Sequence, residues 1–493
     1  MPRVGCWRVD VAPMSVRSCF PLAFLALSAC ASVPDTGARP AMQTAETVAA
    51  SQTFAPRGIG FWPPDQWWRR AGDPQLTALI EEGLINAPQV AVAVARIRRA
   101  EAEAQRIGAV RLPNIGAEAE AGARRQSGSF GIPAQFLPGG WTDYGQASLS
   151  FGYDLDLWGR NRAAFAAATS ELRAATVDAA QARLVLSVAI TAAYAELGRA
   201  HRERDNAEAV LTNRRATRDL VAQRERNGLD NRASLRLADV EVASAEQTLA
   251  AAEETILIRR NQLVALVGAG PDRGLTITRP PLSPSTPAGV PEGLTTDLLG
   301  RRPDIVAARE RVEAAAAKIE QARAGFFPSI NLRALIGLQA LGIGNLIDSQ
   351  SVFGSVGPAI SLPIFDGGGL KAQYRGATAA YDEAVANYNQ TVIAAYQQVA
   401  DALTQRDAAD KRLEAARAAL AASEDALGLL RQRYEAGLAS YLDVLASERG
   451  VQELRLAVIA LETNERGATL ATIRALGGGF DARQTPPAGK ADR

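Results

Sequence analysis

Side chains that carry out metal or nucleophilic chemistry are scarce in this 493-residue chain, and their spacing decides what they can do. Its three cysteines, Cys6, Cys19 and Cys30, all sit at the extreme N-terminus, and its one histidine is His201. A zinc site needs several His or Cys groups converging on one ion, and a Ser-His-Asp triad needs a histidine held beside a serine. With the thiols at one end and a lone imidazole inside "GRAHRERD", neither has material, so the sequence points to no enzyme, no metal and no cofactor. His201 itself reads as a solvated residue on a charged helix. "LVGAG", with Gly268 and Gly270, reads as a helix end and not as a phosphate loop. Lys+Arg 54 against Asp+Glu 53 leaves no electrostatic case for nucleic acid.

One thiol keeps a chemistry of its own. Arg3, Arg8 and Arg17 precede a short apolar run, Pro21 to Ala29, too short to span a bilayer and laid out as a secretory signal. Met1 or Met14 can start it. The run ends in "LSAC", Leu27 to Cys30, which resembles the bacterial lipobox; there Cys30 would be acylated and become the mature N-terminus. Ala31 after the cysteine implies sorting to the outer membrane. An ordinary signal ending near a chance cysteine is the plain alternative. No later run of 18 or more apolar residues exists, so a membrane crossing would have to use strands.

The elements that position everything else come in duplicate. "LINAPQVAVAVARIRRAEAEAQRIGAVRLPNI" from Leu84 aligns with "LGRRPDIVAARERVEAAAAKIEQARAGFFPSI" from Leu299, and "RERNGLDNRASLRLADVE" from Arg224 aligns with "RYEAGLASYLDVLASERG" from Arg433. Gly159 to Gly228 and Gly368 to Gly437 enclose proline-free stretches of equal length, each enough for a helix of roughly 100 Å at 1.5 Å per residue. Residues 165, 168, 172, 175, 179, 182, 186, 189 and 193 keep an apolar seam at coiled-coil spacing. Tyr374, Ala377, Tyr381, Ala384, Tyr388 and Thr391 repeat it, as do the returning helices at Leu235, Ala238, Val242, Ala245, Leu249, Ala252, Ile256 and at Val444, Val451, Leu454, Val458, Leu461. Each copy therefore reads as an antiparallel helical hairpin turning at Gly228 or Gly437.

Before each long helix the period changes to two. Ala147, Leu149, Phe151, Tyr153, Leu155 and Leu157 alternate with polar residues; Ile330, Leu332, Ala334, Ile336, Leu338 share a face with Val356, Pro358, Ile360, Leu362 and Ile364; Ile115, Ala117, Ala119 and Ala121 alternate more weakly. Four strands of this length suit a membrane barrel. A soluble sandwich alternates too, but no second sheet is offered. Four strands cannot close a barrel, so closure needs further copies of the chain. The fold class is α+β, internally duplicated. The expected divisions are a signal at 1–29, an extended segment at 30–60, a first repeat at 61–278, a Pro-rich linker at 279–293, a second repeat at 294–480 and a disordered tail at 481–493.

The ensemble of "LSAC", "WWRRAGDPQLTALIEEGLINAPQVAVAVARI", "DLDLWGR", "LGRRPDIVAARERV", "LPIFDGG", "RYEAGLASYLDVL" and "RALGGG" resembles the outer-membrane efflux factors of the TolC type, in their lipoprotein branch. That resemblance implies a homotrimer whose twelve strands close an outer-membrane β-barrel continued by an α-helical barrel across the periplasm. It implies a passive exit duct for drugs or other small molecules, served by a periplasmic membrane-fusion adaptor and an inner-membrane transporter of the resistance-nodulation-division type. Gly228 with Leu229, and Gly437 with Leu438, would be adaptor-docking tips. A periplasmic gate of apolar and acidic rings would fall near Leu427 and Asp425, although Arg431 stands where an acid is expected and Glu424 is the other nearby acid. A duct for type I protein secretion uses the same architecture; a periplasmic coiled-coil scaffold lipoprotein is the alternative of another class, against which the strands argue.

Overall fold

A computed structural model describes residues 33–50, 52–54, 60–125, 127, 134–136, 139–281, 291 and 293–483. The chain order is α1 (Pro74–Asn86), α2 (Pro88–Ala109), β1 (Asn114–Arg124), β2 (Thr142–Asp154), α3 (Arg160–Arg226), α4 (Arg232–Val267), α5 (Leu294–Arg301), α6 (Pro303–Ala324), β3 (Ser329–Leu341), β4 (Val352–Ser361), α7 (Gly369–Glu435) and α8 (Tyr441–Ala475). The duplication is plain in this order. Two 67-residue helices, α3 and α7, each follow a β-hairpin and each return through a helix of 36 or 35 residues.

The helices start where side chains satisfy their free amides. Asp73 accepts from Gln75 and Leu76 at the head of α1, and Asn231 from Ser234 at α4. Ser440 and Asp443 form a capping box at α8. Asp156 accepts from the Asn161 and Arg162 amides, and Asp366 from those of Gly368 and Leu370. Asp156 and the "PIFDGG" turn also end the strands: β2 stops at Asp154 and β4 at Ser361, so Leu155, Leu157, Leu362 and Ile364 lie beyond the sheet and not on it. The alternation continues past the point where capping takes over.

The chain forms two compact units, and they cut across the repeats. The first holds the sheet. It is antiparallel in the order β1-β2-β3-β4. Near the ends that join the helices, Ile319, Ala322, Phe326 and Tyr374 form a buried cluster, with Val33 packed on it. Trp158 stacks on Phe327 at 4.8 Å, and its indole donates to the Pro328 carbonyl at 2.8 Å.

The second unit is helical. Its largest core packs Leu76, Leu79 and Ile80 of α1 on Leu186, Ile190, Tyr194 and Leu197 of α3 and on Leu263, Val264 and Val267 of α4. The α3 seam differs from the expected one. Residues 172, 175, 179, 182, 189 and 193 are only half-buried, while Ala174, Val177, Leu184, Ile190, Tyr194 and Leu197 are buried. Alanine covers most of the helix circumference, so spacing alone cannot choose a face; the large side chains do. Part of α3 is apolar enough to pass for a membrane span, yet Leu186, Ile190 and Leu197 of that helix are buried against protein. On α4 and α8, Ala238, Ala245, Ile256, Val444, Val451 and Val458 of the expected seams are buried, while Leu235, Val242, Leu249, Ala252, Leu454 and Leu461 are half-buried.

His201 is buried, contrary to the solvated reading. Burial, then the nearby Arg260, Arg279 and Arg204, push its imidazole below its ordinary pKa, so it is neutral at pH 7. The helical context was charged, but the histidine faces inward.

The turn after α8 closes this unit. Gly477, Gly478 and Gly479 follow α8 with φ of 86°, 60° and 92°. A Cβ on Gly477 would lie 2.0 Å from the Arg301 carbonyl oxygen, and one on Gly479 would lie 2.2 Å from the Pro64 backbone. Only glycine lets these segments approach so closely. Arg302 donates to the Ala475 carbonyl at 3.1 Å and pairs with Asp304 at 2.6 Å beside it.

Candidate functional site

The two hairpin turns are built alike. At the first, the Gly228 amide donates to Glu225 at 3.0 Å and the Leu229 amide to Arg224 at 2.9 Å; at the second, Gly437 donates to Tyr434 at 2.9 Å and Leu438 to Arg433 at 2.8 Å. Each is a Schellman closure with glycine in the left-handed region, at φ 75° and 76°. The closure turns the next side chain outward: Leu229 is 65% exposed and Leu438 70%. Leu442, on the first turn of α8, joins Leu438 at 62% exposure. The sequence reading did not single it out.

The two tips are tied to each other. Tyr434 donates to Asp230 Oδ2 at 2.8 Å, and Arg224 donates to the same oxygen at 3.2 Å. Arg224 also donates to the Tyr434 carbonyl at 3.3 Å and lies over the Tyr434 ring at 4.7 Å. Burial, then the bond to Asp230, push the Tyr434 hydroxyl above its ordinary range, so it remains a donor at physiological pH. Beneath lie Val221, Ala238, Tyr434, Tyr441, Val444 and Leu445, all buried.

A second layer of ties is ionic. Glu448 accepts from Arg214 and, at 2.7 Å, from Arg431. Glu241 accepts from Arg449 and pairs with Arg214 at 3.7 Å. Two carboxylates thus link α3, α4, α7 and α8. Removing Glu448 would leave the buried Arg214 with only its longer contact to Glu241, which is costlier than losing an exposed pair.

The expected gate residues fall nearby but do not converge. Leu427 is half-buried against the tip core, Asp425 is exposed, and Glu424 pairs with Arg455 at 2.6 Å. Arg431 turns toward Glu448. Cys30 lies outside the described residues. Among those residues no group of three or more His, Cys, Asp and Glu could hold a metal ion.

The sheet has two chemically distinct faces, fixed by its register. Ile115, Phe151, Ala334 and Val356 align across the four strands, as do Ala117, Leu149, Ile336 and Gly354. The intervening rows hold Gly116, Ser150, Leu335 and Ser355, then Glu118, Ser148, Gly337 and Phe353. The shared face expected for Leu332 and Pro358, and for Ile330 and Ile360, is observed. The strands run from 10 to 13 residues, long enough to cross a bilayer when tilted.

Comparison with known proteins converges on one family. The model of the outer membrane efflux protein family matches residues 79–269 and 294–479, one stretch in each repeat. The fusaric acid resistance protein FusA of Burkholderia cepacia is 34% identical over 376 residues, 72% of this chain and 68% of its own. The multidrug resistance outer membrane protein MdtP of Escherichia coli K12 is 28% identical over 442 residues, 85% of this chain and 88% of its own. The crystal structure of the outer membrane protein VceC of Vibrio cholerae superposes with a TM-score of 0.79 at 41% identity, covering 85% of this chain and all of that one. Duplicated helical hairpins, a two-faced four-stranded sheet and a family match running through both repeats make this chain a member of the outer membrane efflux protein family, an outer-membrane efflux channel.

Proposed function

We propose that three copies of the chain join their sheets into one barrel and their hairpins into one tube, a passive exit duct for small molecules. The observation that carries this reading is the sheet itself. It presents an apolar face, and its two edges, β1 and β4, have no partner among the described residues of one chain. In a bilayer both edges must be paired, and other copies supply the partners. The substrates belong to the class of drugs and aromatic or siderophore-like small molecules, since relatives are named for fusaric acid resistance, multidrug resistance and pyoverdine export. Energy comes from an inner-membrane transporter of the resistance-nodulation-division type through a periplasmic adaptor that meets Leu229 and Leu438.

The tip ties then hold the periplasmic mouth narrow. In planar bilayers, purified protein should conduct weakly. Asp230→Ala removes the acceptor shared by Arg224 and Tyr434, worth about 1–3 kcal/mol where a buried donor is left unpaired, and should raise single-channel conductance while the particle mass stays that of three chains. No conductance from either protein would sink the duct; equal conductance would remove the tie from gating.

The apolar sheet face meets lipid in this reading, and the face of Ser148 and Ser150 lines the lumen. A charge on the lipid face near the midplane costs about 2–4 kcal/mol. Phe151→Arg should therefore lower the level of assembled protein in the outer membrane well below that of Ser150→Arg. The opposite order would invert the faces.

We also infer that Cys30 is the acylated N-terminus. Val33, three residues on, packs with Phe326 and Tyr374 at the helix-bearing end of the sheet, and Arg39 lies over Tyr381 at 5.5 Å. Farther along, Gln43 and Asn389 bond at 2.7 Å. A segment so tethered keeps Cys30 within reach of the inner leaflet, where acyl chains would hold it. Palmitate labelling should mark the wild type and miss Cys30→Ser; label retained by the variant would reject the assignment.

A further inference from the structure

Glu118, Glu120, Arg124, Asp154 and Arg333 are the charged side chains on the polar face of the sheet. Most of them are engaged. Glu120 accepts from the Tyr144 hydroxyl, and the Arg124 guanidinium lies over the Tyr144 ring at 5.2 Å. Asp154 accepts from the Asp156 amide at 2.9 Å and from the Asn161 side chain at 3.1 Å. Glu118 and Arg333 have no ionic partner among the described residues. Arg333 also stands clear of the wall. Its row holds Asn114 on β1, Gly152 on β2 and Gly357 on β4, and a Cβ on either glycine would meet no atom within 4 Å. Its guanidinium therefore lies over neither neighbour. The aromatic rings of the same face do the opposite: a Cβ on Gly122 would meet the Tyr144 ring at 3.0 Å, and one on Gly337 the Phe353 ring at 2.9 Å. Those rings are laid over glycines, while the arginine is left to project.

Three copies of the sheet would place three such cations at one height. Twelve strands about 4.8 Å apart and tilted by about 40° put the wall roughly 12 Å from the barrel axis. An extended arginine carries its fork about halfway across that gap, so the three forks face one another around the axis. Guanidinium groups repel one another unless an anion sits between them, and their planar donors match a carboxylate bidentately. Glu118 lies two rows farther from the helices, about 13 Å along the strand. An anion held by the arginines meets these carboxylates on its way out, which keeps the hold weak enough for release.

We propose that Arg333 is a specificity-determining residue of the duct: three copies of it form a cationic ring in the lumen that takes carboxylate-bearing small molecules in transit. The ring rests on the reading of the sheet as one third of a barrel. Its functional consequence is that the barrel favours the anionic members of the substrate class and is not an indifferent pipe.

The test is titration calorimetry of the full-length protein in detergent with benzene-1,3,5-tricarboxylate, whose three carboxylates suit a three-fold ring. The parent should bind one molecule per three chains and should not bind benzene-1,3,5-tricarboxamide, the uncharged analogue. Arg333→Gln should weaken binding by roughly tenfold or more, Arg333→Lys should weaken it less, and Glu118→Gln should bind at least as tightly as the parent. Arg333→Met carries the same test if Arg333→Gln does not assemble. No binding by the parent, or equal binding by the parent and Arg333→Gln, overturns the ring. A loss in Glu118→Gln as large as that in Arg333→Gln overturns it too. A membrane-impermeant methanethiosulfonate separates this outcome from failure of the barrel. In liposomes it should modify Ser150→Cys, on the same face as Arg333, and spare Val356→Cys, with the parent protein as background. That pattern without tricarboxylate binding leaves the barrel standing and removes only the ring. Modification of Val356→Cys in place of Ser150→Cys inverts the faces, and the ring falls with them.

Discussion

Gly477→Ala is expected to leave almost no assembled channel in the outer membrane. The residue sits at φ 86°, and an added Cβ would lie 2.0 Å from the Arg301 carbonyl oxygen and 3.3 Å from the Arg302 Cα. A left-handed alanine costs roughly 1–2 kcal/mol before any clash. The clash is with backbone, and that backbone is pinned, because Arg302 is bonded to Ala475, Asp304 and Gln398. The total should exceed about 4 kcal/mol, the range reached only by a few severe mechanisms. Gly479→Ala should match it, since its Cβ would meet the Pro64 backbone at 2.2 Å. Gly478→Ala should be milder, because the atom it meets is the Leu184 side-chain end, which can turn. Gly450→Ala is the control: it lies inside α8 with nothing within 4 Å, and alanine there should be neutral or stabilising by up to about 1 kcal/mol. Immunoblots of outer-membrane fractions rank the four. Wild-type levels of Gly477→Ala would refute the packing described for this turn.

How much of this could be seen beforehand depends on whether the signal is local. The equal spacing of Gly159 to Gly228 and Gly368 to Gly437 gave both long helices and both turns within two residues, because glycine closures and proline-free alanine runs act on neighbouring backbone. The strand faces were legible for the same reason, since a period of two depends on nothing distant. Their ends were not: Leu155 and Ile364 continue the alternation, but Asp156 and Asp366 claim the backbone for helix capping. The α3 seam was misplaced where alanine made every face equally apolar. The tip ties were invisible, because Tyr434 meets Asp230 across 204 positions, and nothing near either residue announces the other. Arg431 looked out of place beside the expected acidic ring. Its partner, Glu448, lies one helix away, on α8.

We propose that the exposed leucines of the tips meet an adaptor and that export depends on it. Leu438→Asp tests this with the turn intact. Gly437 and the bond from the residue 438 amide to Arg433 are kept, and the capping box at Ser440 and Asp443 is untouched. Leu438 is 70% exposed, so its loss should change stability little. A charge at the centre of an apolar contact, by contrast, can cost 2 kcal/mol or more, roughly thirtyfold in affinity. Drug accumulation should be measured in cells expressing each form at equal outer-membrane level, with site-specific crosslinking to the adaptor read in parallel. Cells with Leu438→Asp should accumulate drug like cells lacking the channel and lose the crosslink, and Leu229→Asp combined with it should add little. Export at the wild-type rate from an assembled Leu438→Asp channel would contradict it.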